Sequence, residues 1–179
     1  MRKIKSLAVH HSASPSTTTV ADIKKWHEKR EWPHIAYHYV ILNNGKVVHT
    51  LRDAQEGFGV YGKNKDSLHI CVIGDFTKSP VLQKQIDSLE KTILKLCKKY
   101  KLQIWNIYGH LELALESHPT QCPGEHLMKE LNLMRVRISE KLKKEKNPIP
   151  LEIQVETLPN WRSNLLQWIM EIITKLLKR

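Results

Sequence analysis

One short stretch, GHLELALESHPTQCPG at 109–124, holds three groups that bind metals or transfer protons: His110, His118 and Cys122. A thiol beside a histidine could act as a nucleophile and base pair. Imidazoles and a thiolate together also suit zinc. Ligands from this stretch alone cannot close a tetrahedral site at their spacing, so a metal needs a donor from elsewhere. LAVHHSAS supplies one, because His10 and His11 end an apolar run. Successive strand residues point to opposite faces, so only one of the two can face a given site. Two histidines and one cysteine leave a fourth position for water, which separates a catalytic zinc from a structural one. Zinc there acidifies the water and polarises a carbonyl oxygen. Pairing Cys122 with His118 as a thiol catalyst leaves His10 without a role.

The elements that must carry these groups are readable from periodicity. KSLAVHH reads as a first strand, and TVADIKKWHEKR as a helix with Thr19 and Asp22 at capping-box spacing and Ile23, Trp26 and Arg30 on one face. YHYVILNNGKVVHTL reads as a hairpin with Asn44-Gly45 supplying the positive φ angles of its turn. SLHICVIGDF is an almost wholly apolar run, as expected of a central strand buried on both faces. Ser79-Pro80 then opens a helix with Leu82, Ile86, Leu89, Ile93 and Leu96 as its apolar positions. IWNIY is a short strand leading into the loop of His110, and a last helix carries Leu127, Leu131, Met134 and Ile138 on one face. Strands separated by helices predict an α/β fold with a single mixed central sheet flanked by helices.

The 179 residues suffice for one packed domain and an appendage. The expected divisions are a catalytic domain at 1–142, a linker at 143–160 rich in lysine and proline, and a basic amphipathic helix at 161–179. Three cysteines argue against a disulfide scaffold; Cys71 and Cys97 read as small core residues. No apolar run is long enough to span a membrane, and the N-terminus lacks the apolar segment of a signal peptide. A formal net charge of +11 predicts attraction to a polyanion. No nucleic-acid-binding motif accompanies that charge, so no nucleic acid partner is expected.

Together, AVHHSAS, WHEKREWPHIAYHYVI, NNGKV, SLHICVIGDF and GHLEL…TQCPG resemble the zinc-dependent N-acetylmuramoyl-L-alanine amidases of the amidase-2 type. That group includes phage lysozyme-type amidases and the peptidoglycan recognition proteins. The resemblance covers roughly residues 5 to 135, in the family's order. It implies His10, His110 and Cys122 as zinc ligands, Tyr37 as the catalytic tyrosine, and Thr120 as a residue that helps stabilise the oxyanion. His110 follows a predicted strand and is favoured as ligand over His118, which sits in a segment longer than in close relatives. His11 and His38 read as buried structural or supporting histidines, and His27 and His34 as helix-face and loop residues. Trp32 and Asn64 are candidate substrate-binding residues, whereas Trp26 is assigned to core packing. Glu112 is a third candidate, placed to orient His110 or to lie in solvent. One departure stands out: Gly59 replaces a histidine that commonly lines the substrate cleft.

The implied activity is hydrolysis of the amide between N-acetylmuramic acid and L-alanine in peptidoglycan. The expected setting is a phage or prophage endolysin, made in the host cytoplasm and released to the wall through a holin-type pore. The alternatives are a cytosolic muropeptide-recycling amidase and a non-catalytic peptidoglycan receptor on the same fold. The helix at 161–179 carries Trp161 and Trp168 on an apolar stripe flanked by basic residues. It is a candidate contact for anionic membrane or lipopolysaccharide.

Overall fold

A computed structural model describes residues 2–146, and residues 1–142 make up one compact unit. Among the described residues, five strands form one mixed sheet in the order β3-β2-β4-β1-β5. The strands are β1 (Ser6–His11), β2 (Tyr39–Ile41), β3 (Val47–His49), β4 (Ser67–Val72) and β5 (Ile107–Gly109). β1, β2, β4 and β5 run parallel, and β3 is antiparallel to β2. Four α-helices accompany them among the described residues: α1 (Val20–Glu28), α2 (Gln83–Tyr100), α3 (His110–Leu113) and α4 (Glu125–Lys146).

The expected strand at SLHICV is the central β4, with every residue buried. Its two faces differ. Leu68, Ile70 and Val72 join Leu7 and Val9 in the main core, against Ile86, Leu89, Ile93 and Leu96 of α2 and Leu127, Leu131, Met134 and Ile138 of α4. Cys71 and Val40 belong to a smaller core on the other face, with Ile23 of α1, Ile35 and Leu51. Cys71 and Cys97 are both buried thiols, as anticipated. At the edge of the main core, Asp53 accepts from the Tyr39 hydroxyl at 2.8 Å and from Lys99 Nζ at 2.7 Å, tying its loop to β2 and to the end of α2.

Helix α1 starts as expected. Thr19 is its N-cap, and the Thr19–Asp22 capping box is formed. Three local readings are corrected. At the hairpin, only Gly45 has positive φ, at 85°. Its N–H reaches the Leu42 carbonyl and Asn44 Oδ1 accepts from the Lys46 N–H, so Asn44 shapes the turn by a side-chain bond instead. Helix α2 begins at Gln83, with Leu82 as an exposed N-cap rather than a core position. The residues before it are held in a turn around Asp75, which binds Thr77 through both its N–H and hydroxyl, and Pro80 disfavours a helical Ser79. On α1 the buried histidine is His27, while Trp26 is 37% exposed. His27 stands one helical turn after buried Ile23, which sets the inward face at Ile23 and His27. The compact unit ends at Leu142, where the catalytic domain was expected to end, and α4 itself continues to Lys146. The rest of the expected linker and the helix at 161–179 lie outside the described residues.

Candidate metal centre and its cleft

Parallel pairing brings the donors together. Val9 on β1 is in register with Gly109 on β5, so His10 and His110 follow each other's neighbours at the ends of adjacent parallel strands. In open α/β sheets the carboxyl ends of strands are where ligands bind. Gly109 caps the single turn α3, on which His110 is the first residue. The Leu111 N–H then bonds the Cys122 carbonyl at 2.7 Å, which clamps the Cys122 loop onto that turn. The ligand atoms of His10, His110 and Cys122 all lie within 4.8 Å of one another. Within the trio, His10 Nδ1 stands 3.8 Å from Cys122 Sγ, and the His10 and His110 ring centroids are 4.7 Å apart.

The electrostatics suit a metal. Burial, reinforced by His69, His110 and His11, pushes His10 far below the usual imidazole range. Burial likewise lowers His110. Both rings therefore stay neutral, the form in which imidazole ligates. Burial pushes the Cys122 thiol up to about 12, so it is a thiol unless a cation draws off its proton. Two neutral imidazoles and one such thiol, converging at a strand end, are a donor set that fits a metal ion. His118 lies apart from it, stacked on Tyr61 at 4.7 Å between centroids. His11 also points elsewhere, its Nδ1 accepting from the Phe76 N–H at 3.2 Å.

Two depressions meet at this centre and share His110 and Thr120. One, of about 480 Å³, is walled by Trp32, Phe58, Tyr61, Asn64, Leu115 and His118. The other, of about 380 Å³, is lined by Trp26, Arg30, Tyr37 and Cys122 among others. A further depression, about 570 Å³ between Ser14, Asn43, Phe76 and Gln85, holds none of the donors.

A family model described as N-acetylmuramoyl-L-alanine amidase matches residues 1–125. The chain belongs to that family. The amidase is 26% identical to the endolysin of Escherichia phage T7 over 129 residues, covering 66% of this chain and 80% of the relative. It is 29% identical to peptidoglycan-recognition protein 2 of Holotrichia diomphalia over 143 residues, 75% of each chain. Among solved structures, the Ph2119 endolysin from a Thermus scotoductus bacteriophage superposes with a TM-score of 0.64 at 30% identity, covering 74% of this chain and 84% of that one.

The other expected site residues of the amidase are distributed as follows. Tyr37 is partly buried, its ring 5.3 Å from that of His10. Burial, with Cys71 and Cys122 nearby, raises its hydroxyl well above the ordinary phenol range, so it stays protonated and able to donate. The Thr120 hydroxyl accepts the Cys122 N–H at 3.1 Å, which leaves its hydrogen free to donate into the cleft. Trp32 lies near Phe58, with centroids 5.9 Å apart, and Asn64 Oδ1 holds the Val60 N–H at 2.9 Å. Glu112 neither orients the His110 ring nor lies free in solvent. Its carboxylate takes the Gly109 N–H at 2.7 Å and pairs with Arg135, so it fixes the start of α3.

Four contributors escaped the sequence reading. His27 packs its ring 5.3 Å from Tyr37 and 4.8 Å from Trp32, with Nδ1 held by the Ala36 N–H at 3.1 Å. Its spacing from Ile23 was the available signal. Phe58 and Tyr61 line the wall from a loop without periodicity, and nothing in the sequence marked them. His69, inside the apolar run, reaches His10 directly, with its Nδ1 3.1 Å from His10 Nε2.

Proposed function

We propose that this amidase hydrolyses the bond between N-acetylmuramic acid and L-alanine with a zinc ion held by His10, His110 and Cys122. The observation that carries the reading is the convergence of these three donors at the junction of two depressions. The bond in question joins a sugar's lactyl group to a peptide, so its substrate needs room on both sides of the reacting carbonyl. When bound, zinc would activate water and polarise that carbonyl.

The residues around the donors do the rest. The Tyr37 phenol donates to the oxygen on which charge develops, and the Thr120 hydroxyl, lining the same depression, does the same. Donors fixed in advance by packing, as Tyr37 is by His27, need no reorganisation when charge appears. Trp32 and Asn64 line the approach to the centre. The products are a free lactyl carboxylate on the sugar and a free amino group on L-alanine.

The biological setting we infer is that of a phage endolysin acting on the cell wall after holin-type release, in keeping with the endolysins among the relatives. Residues 161–179 would then supply contact with anionic membrane or lipopolysaccharide. Metal analysis with mass spectrometry of products from purified sacculi tests the chemistry. One zinc per chain and stem peptides beginning with free L-alanine are expected. A protein that binds sacculi yet carries no zinc and releases nothing would instead be a receptor. Deleting residues 158–179 should leave hydrolysis of sacculi nearly intact and abolish lysis of intact Gram-negative cells. Unchanged lysis would remove the envelope role.

A further inference from the structure

His69 sits in the middle of β4 with no exposed surface, where a side chain that only filled space would do as well. Its Nδ1 lies 3.1 Å from His10 Nε2. On the other side of the His10 ring, Nδ1 faces Cys122. A neutral imidazole carries one hydrogen, on one nitrogen or the other. For His10 Nδ1 to present a lone pair to a metal, the hydrogen must be on Nε2, and His69 Nδ1 is the acceptor within reach.

The arrangement is held on every side. The His69 N–H bonds His38 Nδ1 at 3.0 Å, and the His69 carbonyl accepts the His38 N–H at 2.9 Å. Above the rings runs the backbone of residues 57–59. A Cβ on Gly59 would lie 2.5 Å from His69 Nδ1 and 3.0 Å from His10 Nε2, and one on Gly57 would lie 2.7 Å from His69 Cδ2. His69 Nε2 is buried without a hydrogen-bond partner among the described residues. An unpaired buried polar atom is unfavourable, and leucine at this position would avoid it.

We infer that His69 is a positioning residue for the metal centre: it accepts the Nε2 hydrogen of His10 and so fixes the tautomer and rotation that aim His10 Nδ1 at the metal. Gly59 is the other half of the device, since its lack of a side chain makes room for the imidazole pair. This rests on reading His10, His110 and Cys122 as a zinc site. Groups that orient a ligating histidine are worth about 10–100-fold in metal affinity.

The test is zinc affinity by chelator competition, with urea unfolding of the metal-free protein and nitrogen-15 spectra of the histidine rings. The proteins are wild type, His69→Leu, His69→Asn, His69→Gly, Gly59→Ala, and Gly59→Ala combined with His69→Gly. His69→Leu should bind zinc about 10–100-fold more weakly while the metal-free protein remains folded. His69→Asn keeps an acceptor near the position of Nδ1 and should recover most of the affinity, which a merely space-filling role would not produce. Gly59→Ala should behave like His69→Leu, and adding it to His69→Gly should weaken zinc no further. In the zinc-loaded wild type, the His10 hydrogen should be on Nε2. Unchanged affinity in His69→Leu, equal losses in the Leu and Asn variants, or a His10 hydrogen on Nδ1 would each overturn the inference. If wild type takes up no zinc, the metal-site reading falls and this inference with it. Tight wild-type binding with an indifferent His69→Leu removes the inference alone.

Discussion

The two faces of the sheet are made by the same strands and have opposite chemistries. Along β4, Leu68, Ile70 and Val72 feed the core under α2 and α4, whereas the alternate positions are Ser67, His69 and Cys71. On β1, Leu7 and Val9 belong to the first face and His10 to the second. All of these residues are buried, so burial does not tell the faces apart. The apolar face supplies stability through packed area. The other face spends part of its interior on imidazoles and a thiol, which need partners to be buried at all. A substitution should therefore show in folding or in chemistry according to the face it touches.

The strongest break of that division is at the donors. Cys122→Ser and His110→Ala should lose bound zinc and all measurable turnover, with little change in the urea midpoint of the metal-free protein. Full zinc occupancy in His110→Ala would sink the assignment. On the apolar face, Ile70→Ala should cost about 2–5 kcal/mol of stability, read by urea unfolding, while the folded fraction keeps wild-type zinc affinity. A zinc defect matching the stability loss would show that the faces are not separable.

Tyr37→Phe tests the chemical face without touching a ligand. It should retain zinc and lose about 2–4 kcal/mol of transition-state stabilisation, a drop in kcat of roughly 30- to 1000-fold. Wild-type rates in the folded variant would exclude the role. Thr120→Ala should be milder, about tenfold in kcat, because an aliphatic hydroxyl is less acidic than a phenol and so a weaker oxyanion donor.

The smallest effect is expected at Asp53, at the rim of the apolar face. Burial alone would raise its carboxyl, but hydrogen bonds from Lys99, Tyr100 and Tyr39 prevail and hold it below the ordinary range. A carboxyl depressed on folding stabilises above its unfolded value of about 3.9 and loses that contribution as pH falls through the folded value. The stability gap between wild type and Asp53→Asn should thus be widest near pH 6 and shrink steadily toward pH 2. A gap that stayed constant would mean the ionised carboxylate is not what matters.

The sequence was legible where local chemistry sets structure. The Thr19 cap, the apolar stripe from Leu127 to Ile138 and the buried run at 67–72 all appear as expected. His10, His110 and Cys122 were also nameable, by resemblance, though their convergence depends on the Val9–Gly109 register, which no local signal encodes. What stayed hidden involves contact across the chain. Reading SLHICV as one apolar run concealed the alternation that aims His69 at His10. Glu112 read as either a partner for His110 or a solvated group, but Arg135 from α4 claims its carboxylate. The start of α2 moved because Asp75 gathers Thr77 and Lys78 into a turn first.

The Tyr61–His118 stack joins two excursions of the chain, one before β4 and one after α3, into a single wall of the cleft. Neither excursion supplies a donor atom. The residues of this wall and the three donors are thus held by separate backbone, and can drift at different rates. A lineage facing a wall of altered cross-linking can retune residues 61–63 and 114–119 in length or composition while Gly57 and Gly59 keep the space over His69 and His10, and His10, His110 and Cys122 stay where β1 and α3 hold them. For engineering, those two segments are the natural place to graft diversity when a new wall chemotype is the target.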